Sequence, residues 1–216
     1  FFVTEDFKRG AVQRFTPDNP DWQEPWNILH GSGTIEYLVL KPDGSGNGGT
    51  YEWSSTRNLG RQSAADYYPN CEGIDSDGET LFFVSKKLRT LFSLDLRGNT
   101  YTVTSTVQGM FDGRPDQIVR ILTNTDGEYH NDDILYFTEE GGKDAGIHGR
   151  DADGNYFTIL ENIDYKKETT GLAFSPDNKV MYLAFQDNGI LFEVRRMGGM
   201  AFHAKSLNIK YHALNQ

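Results

Sequence analysis

One apolar strand pattern recurs four times along the chain, and a second strand-like run follows it each time. The four copies align at Val3, Val84, Phe137 and Ala184, at intervals of 81, 53 and 47 residues. Each copy turns polar at its C-terminal end, and three of the four carry carboxylates there. A four-stranded propeller blade takes roughly 40 to 50 residues. The recurrence therefore predicts consecutive blades of a β-propeller.

The long first interval predicts an insertion around residues 31–66. Strand-like runs over 35–40 and 50–54 flank a turn-rich loop that is dominated by glycine. The remaining sequence has no sustained helical periodicity, and its best helical candidate is a turn or two over 57–67. Fourteen Phe, 11 Tyr and 23 Gly favour many short strands and tight turns. The predicted fold class is all-β.

A second repeated pattern stands before three of the strands. Glu72, Asp116 and Thr170 each open a short apolar run that leads into a hairpin turn. Side chains alternate between the two faces of a strand, so a polar residue that opens an apolar strand tends to point towards the end of the sheet or a central channel. Several blades would then bring acids to one place.

The chain begins with a residue that the pattern places inside a strand. We therefore expect residues 1–216 to form a single partial domain, with about four blades of a six-bladed ring and upstream blades missing. Propellers protect their strand edges by closing the ring. We expect the open edges to be covered by a missing N-terminal portion or by another chain.

Charge and composition exclude several classes of partner. A net charge of −10 and a pI near 4.9 argue against nucleic acid and against anionic membranes. The basic runs at 86–89 and 195–196 are expected to be solvent-exposed. The chain has no 18-residue apolar run, so no membrane span is predicted. Cys71 is the single cysteine, and we interpret it as a small strand residue.

Carboxylates at the strand ends suggest a cation site. Glu5-Asp6 and Glu139-Glu140 are adjacent acids, which repel unless something positive lies between them. Hard cations such as calcium take six to eight oxygen ligands, so these acids suit them, although a solvated loop remains the alternative. The candidate metal ligands are Glu5, Asp6, Glu72, Asp116, Glu139 and Glu140.

Other motifs favour simpler interpretations. Residues 151–155 resemble the first half of a calcium loop but lack its terminal glutamate, so we interpret them, and the similar runs at 75–79 and 125–128, as hairpin turns. The five histidines, including His130, His203 and His212, show no zinc-ligand spacing. No nucleophile elbow or phosphate loop is present. No catalytic residue is assigned.

Several of these motifs together resemble the PhoX-type alkaline phosphatase family, and the chain is most similar to eukaryotic, algal-like members. The motifs are Val3-Thr4-Glu5-Asp6, Arg14-Phe15, Glu72-Gly73-Ile74, Arg114-Pro115-Asp116, the run over 136–142 and the run over 170–177. The resemblance implies a secreted or periplasmic β-propeller that hydrolyses phosphate monoesters with calcium and iron. It further implies that Glu5 and Glu72 bind calcium or the bridging metals, whereas the family's iron-binding cysteine segment lies outside these residues.

The sequence thus leads to two hypotheses about function. The first is the C-terminal part of a PhoX-like metal-dependent phosphomonoester hydrolase, secreted or lumenal, in which this chain alone is inactive. The second is a non-catalytic, calcium-stabilised propeller that serves as an extracellular or lumenal binding or structural module. A lactonase-like calcium propeller is a third option. Asn70 and Cys71 stand before the Glu-Gly motif, where the bacterial enzymes tend to carry a phosphate-binding arginine.

Overall fold

The computed structural model describes residues 1–21, 23–125, 128–141, 144–161, 164–165 and 167–202. Two helices and fifteen strands lie in these ranges, and the strands alternate with short turns. No described helix has the length and apolar character needed to cross a membrane. In chain order the elements are β1 Phe2–Val3, β2 Gln13–Pro17, α1 Pro25–His30, β3 Gly33–Pro42, β4 Gly48–Ser54, α2 Arg57–Tyr67, β5 Cys71–Ser76, β6 Thr80–Ser85, β7 Thr90–Asp95, β8 Thr100–Ser105, β9 Arg114–Thr125, β10 Glu128–Glu140, β11 Gly146–Arg150, β12 Tyr156–Glu161, β13 Thr169–Phe174, β14 Val180–Phe185 and β15 Ile190–Arg195.

The strands form four successive antiparallel units, which we call the first to fourth blades. The first blade is β1–β4, the second β5–β8, the third β9–β12 and the fourth β13–β15. Strands β4 and β8 pair over three residues each, so the first and second blades share one eight-stranded sheet. The all-β, blade-based fold predicted from the sequence is confirmed.

The hydrophobic cores lie between successive blades. Leu38 and Leu40 of β3 belong to one buried cluster with Phe83 of β6 and Phe92 of β7. A second cluster joins the second and third blades, and a third cluster joins the third and fourth. Burial of apolar surface at about 25 cal/mol per Å² is the main force that holds such units together. Each blade is therefore stabilised by its neighbours.

Polar contacts connect the first strands of neighbouring blades. Arg120 N donates to Asp75 Oδ2 at 2.7 Å between the second and third blades. The Gln117 side chain pairs with the backbone of Leu172, its Nε2 donating to the carbonyl at 3.2 Å and its Oε1 accepting from the amide at 2.9 Å. These contacts fix how far apart the blade ends lie.

Most local predictions agree with this structure. Glu72, Asp116 and Thr170 lie near the start of β5, β9 and β13, each of which forms a hairpin with the next strand. The helical candidate over 57–67 is α2, which packs on β3. Residues 31–66, the region of the predicted insertion, form β3, β4 and most of α2, and β3 and β4 are the third and fourth strands of the first blade.

Two of the three predicted hairpin turns lie within the described residues. Residues 151–155 form a turn between β11 and β12, in which Asp151 N donates to Asn155 O at 3.1 Å. Residues 75–79 end β5 and turn at Gly78 with φ +91°. Residues 126 and 127 of the third predicted turn lie outside the described residues, as do His203 and His212.

Candidate functional site

One ammonium group contacts carboxylates from three blades. Lys86 follows β6, and its Nζ lies 2.6 Å from Glu72 Oε1 of the second blade and 3.4 Å from Asp6 Oδ2, which follows β1 of the first. The same Nζ also forms an ion pair with Glu140, the last residue of β10 in the third blade. These four residues are called the Lys86 cluster below.

The ends of the strands hold each carboxylate in place. Asn70 Nδ2 donates to Asp6 Oδ1 at 2.8 Å, which ties the loop after β1 to the start of β5. Thr4 Oγ1 donates to the backbone carbonyl of Glu72 and adds a second link between these blades. Arg114 Nη1, at the start of β9, lies 3.4 Å from Glu140 Oε1.

The cluster is largely removed from solvent. The side chains of Lys86 and Glu72 are 17% and 10% exposed. Glu72 Oε2 is buried and has no hydrogen-bond partner. An unsatisfied buried polar atom of a charged group costs at least about 1–3 kcal/mol. Three carboxylates therefore compete for one ammonium: among the described residues, Glu72 Oε2 has no partner, and Glu140 Oε2 has the ion pair with Lys86 but no hydrogen bond.

Two further carboxylates lie near the cluster. Burial raises the pKa of Asp116, which also accepts a hydrogen bond from Thr138 Oγ1 at 3.4 Å and is affected by the charge of Asp6. Burial, followed by the charge of Asp116, raises the pKa of Glu168. Negative charge is therefore concentrated at this end of the blades, and together with burial, the larger cause, it favours the protonated forms of Asp116 and Glu168.

A polar cavity of about 320 Å³ opens beside the cluster. Its lining combines acids, bases and an amide: Asp6, Asn70, Lys86, Lys87, Arg114 and Glu140. A cavity of about 540 Å³ next to the loop between β3 and β4 is mostly apolar, and its lining has no Asp, Glu, Lys, Arg or His. Acid–base or ionic chemistry is therefore better supported in the smaller cavity.

The six predicted ligands separate into three groups. Asp6, Glu72 and Glu140 meet at Lys86, and Asp116 lies near them. Glu5 instead accepts a hydrogen bond from Gln13 Nε2 at 3.0 Å, within the first blade. Glu139 is 1% exposed and faces away from the cluster. Adjacent residues of a strand point to opposite faces, which separates Glu139 from Glu140.

Glu139 is the centre of a separate buried network. Its Oε1 accepts from Gly113 N at 2.5 Å and from Asp112 N at 3.1 Å. Its Oε2 lies 3.1 Å from both Gly146 N and His148 Nε2, and the imidazole stacks on Phe111. These contacts connect β10 and β11 to the loop before β9. The arrangement is that of a structural carboxylate.

The Lys86 cluster leaves no open position for the calcium that the resemblance implies, and the cysteine that would bind iron belongs to the segment outside these residues. Carboxylate oxygens suit calcium, but the Lys86 ammonium occupies the centre of their cluster. Burial raises the pKa of the Cys71 thiol to about 12, and Sγ lies 3.3 Å from Gly10 O, so this thiol is a poor metal ligand, which agrees with its interpretation as a small strand residue. Within the described ranges, no group of three or more His, Cys, Asp or Glu is arranged to hold a metal ion.

Lys86 is the residue that the sequence analysis missed. The run over 86–89 was expected to be solvent-exposed, and Lys87 and Arg89 are exposed. For Lys86 the expectation is wrong, because its side chain reaches back over the start of β5 to the carboxylates. Its position directly after a strand of the repeat, where two other blades have acids, is the signal that could have identified it.

Comparisons with known proteins give little further information. No protein-family model and no curated protein sequence matches the chain. Among solved structures, the chain is similar to one described as "Streptogramin B lyase structure", with 17% identity and a TM-score of 0.37. The match covers 59% of this chain and 41% of that one. This likeness is too distant to support an argument about function.

Proposed function

We propose that this chain is part of a PhoX-like phosphomonoester hydrolase and that the cavity beside the Lys86 cluster receives the phosphate group. The supporting observation is that Lys86, Lys87 and Arg114 line one cavity together with Asp6 and Glu140. A phosphate dianion needs positive charge and hydrogen-bond donors, and arginine supplies them in a planar fork. At about 320 Å³, the cavity is at the lower end of the range for small-molecule sites.

Different side chains would carry different parts of this function. The Arg114 side chain is 57% exposed and Lys87 is exposed, so both can reach a ligand that enters from solvent. Asn70 provides an amide donor where the bacterial enzymes have an arginine. Asp116 lies behind the cavity lining, near Asp6 and on the strand that begins at Arg114, and burial raises its pKa; on these grounds we assign it to proton transfer.

Phosphate binding tests the first part of the proposal. We expect inorganic phosphate to bind the wild-type chain in isothermal titration calorimetry, and Arg114→Ala to weaken binding about tenfold or more, because a charge-assisted hydrogen bond is worth about 1.5–3 kcal/mol. Arg97→Ala is the matched control, since Arg97 is exposed and pairs with Glu79 away from the cavity. Failure of the wild-type chain to bind phosphate would contradict the proposal.

Hydrolysis tests the second part. We expect a longer protein that contains this chain to release p-nitrophenol from p-nitrophenyl phosphate, and Asp116→Asn to reduce kcat by about 100-fold or more, as loss of a general acid–base group does. If Asp116→Asn leaves the rate unchanged while Arg114→Ala raises KM, phosphate binding stands and the assignment of Asp116 is wrong.

A non-catalytic binding module is the second candidate, and one observation favours it. The carboxylates of Asp6, Glu72 and Glu140 already pair with Lys86, so none of them is free to act as a base or nucleophile. Such a module would bind phosphate-containing ligands in the same cavity without turnover. Saturable phosphate binding with no hydrolysis in any longer form of the protein would support this candidate over the first.

A further inference from the structure

We infer that the cavity bordered by Tyr67, Phe92 and Tyr101, between the β3–β4 loop and strands β7 and β8, binds a neutral, planar aromatic molecule that carries one hydroxyl or similar polar group. This aromatic cavity has a volume of about 540 Å³, which lies within the range of small-molecule sites. The inference does not depend on phosphate binding, because the aromatic cavity shares no lining residue with the cavity beside the Lys86 cluster.

The face of the second blade that borders the aromatic cavity presents two nearly parallel rings. Thr90 and Phe92 are two positions apart in β7, and β8 pairs Val103 with Phe92 and Tyr101 with Leu94. Because side chains alternate along a strand and paired residues share a face, these five side chains lie on one face. All of them except Leu94 border the cavity. The rings of Phe92 and Tyr101 lie 6.3 Å apart at 29°, so a ligand ring can pack against both in an offset arrangement.

Exposed apolar side chains form the rim of the aromatic cavity. Tyr67, the last residue of α2, and Leu88, which precedes β7, are 41% and 48% exposed, whereas Phe92 in the sheet is 2% exposed. A ligand ring that enters beside Tyr67 and Leu88 would remove apolar surface of both side chains from water. Burial of apolar surface is the main favourable term for an uncharged ligand.

The β3–β4 loop forms a wall that is fixed by its own hydrogen bonds. Asn47 O accepts from Val103 N at 2.8 Å, and Asp43 N donates to Gly48 O at 3.1 Å. Gly48 lies so close to β8 that an added Cβ would be 2.3 Å from Tyr101 O. A wall held in this way loses little conformational freedom on binding, so more of the interaction free energy is retained as affinity.

Charge and hydrogen bonding define the class of ligand. The lining has no Asp, Glu, Lys, Arg or His, and the charge of Asp43, after burial, raises the pKa of Tyr101. A carboxylate near Tyr101 disfavours an anionic ligand. Thr90 Oγ1 is buried and has no hydrogen-bond partner in the described part of the chain. A change of χ1 rotamer exchanges this hydroxyl with the methyl group on Cβ and breaks no hydrogen bond of the hydroxyl, which can then pair with one polar group of a ligand.

Titration calorimetry with β-naphthol tests the inference, because this neutral molecule has two fused aromatic rings and one hydroxyl group. We expect one site in the wild-type chain, with a Kd below about 1 mM. Tyr67→Ala should weaken binding about three- to tenfold through the loss of one aromatic contact. Leu59→Ala is the matched control and should leave the Kd unchanged, because Leu59 is an exposed residue of the same helix that does not border the cavity.

Two analogues and a second variant test the chemical class of the ligand. The anionic β-naphthoate, and decahydro-β-naphthol, which keeps the carbon skeleton without aromatic rings, should each bind at least about threefold more weakly than β-naphthol. Thr90→Val, which keeps the shape and removes the hydroxyl, should weaken β-naphthol binding about threefold or more.

Four results would overturn the inference. Two concern the site: wild type does not bind β-naphthol, or Leu59→Ala weakens binding as much as Tyr67→Ala does. Two concern the ligand class: either analogue binds as tightly as β-naphthol, or Thr90→Val leaves the affinity for β-naphthol unchanged.

Discussion

Replacement of Glu139 provides the sharpest test of how the third blade is held together. Glu139→Ala removes the acceptor for Gly113 N, Gly146 N and the His148 imidazole in a place that is 1% exposed. Asp112 N loses less, because it also donates to Met110 O at 3.0 Å. Orphaned donors cost about 1–3 kcal/mol each and their costs do not simply add. We expect a loss of about 3–5 kcal/mol, the range typical of a broken buried charge network.

Urea denaturation followed by fluorescence measures this loss directly. Glu139→Gln should lose about half as much, because its amide oxygen can still accept from Gly113 N while its NH₂ group faces the Gly146 donor. Glu79→Gln is the control, since Glu79 is 66% exposed and should change stability by less than about 0.5 kcal/mol. A loss below about 1 kcal/mol for Glu139→Ala would refute the structural role of this carboxylate.

Three further predictions concern other parts of the chain. Gly73→Ala should destabilise the fold by about 2 kcal/mol or more in urea denaturation, because an added Cβ would lie 2.3 Å from Ile118 N. Gly78→Ala is the control, since a Cβ at Gly78 meets open space and the substitution tests only backbone strain. Cys71 is buried with its pKa raised to about 12, so its alkylation by iodoacetamide should be at least about 100-fold slower in the native chain than in urea. Burial, followed by neighbouring carboxylates, raises the pKa of Glu161 from 4.5 to about 7, so the folded state binds the Glu161 proton more tightly than the unfolded state does. The stability that this proton contributes should be lost as pH rises from about 4.5 to 7 in wild type. Glu161→Gln should not show this loss.

Local patterns in the sequence predict the strands because their causes are local. Alternation with period two and turn residues such as those at 75–79 define each hairpin without knowledge of the rest of the fold. The β4–β8 pairing is different, since it joins Thr50 to Thr100, which lie fifty positions apart in the sequence. No local pattern carries that information, so the shared eight-stranded sheet could not be predicted.

The candidate site was predictable only in part, for the same reason. The strand ends fix the backbone positions of Asp6, Glu72 and Glu140, and the repeat identifies those positions in the sequence. The adjacent pairs could have been separated further, because alternation excludes that Glu139 and Glu140 face one ion. The repeat also marks Lys86 as a strand-end position, but the direction of its side chain could not be predicted, since a lysine has four rotatable side-chain bonds and its direction depends on acids from other blades.

The spacing between β5 and β9 connects the cores to the Lys86 cluster. Gly73 lets β5 approach β9 so closely that a methyl group would meet Ile118 N and Asp116 O. Its neighbour Glu72 extends from the same backbone towards Lys86, and Asp116 lies on the facing strand. A glycine after the glutamate is therefore required by the packing of the two blades. Because the same close approach brings Glu72 and Asp116 to one end of the sheets, the Glu-Gly pair determines both the distance between blades and the density of negative charge that the Lys86 ammonium must offset.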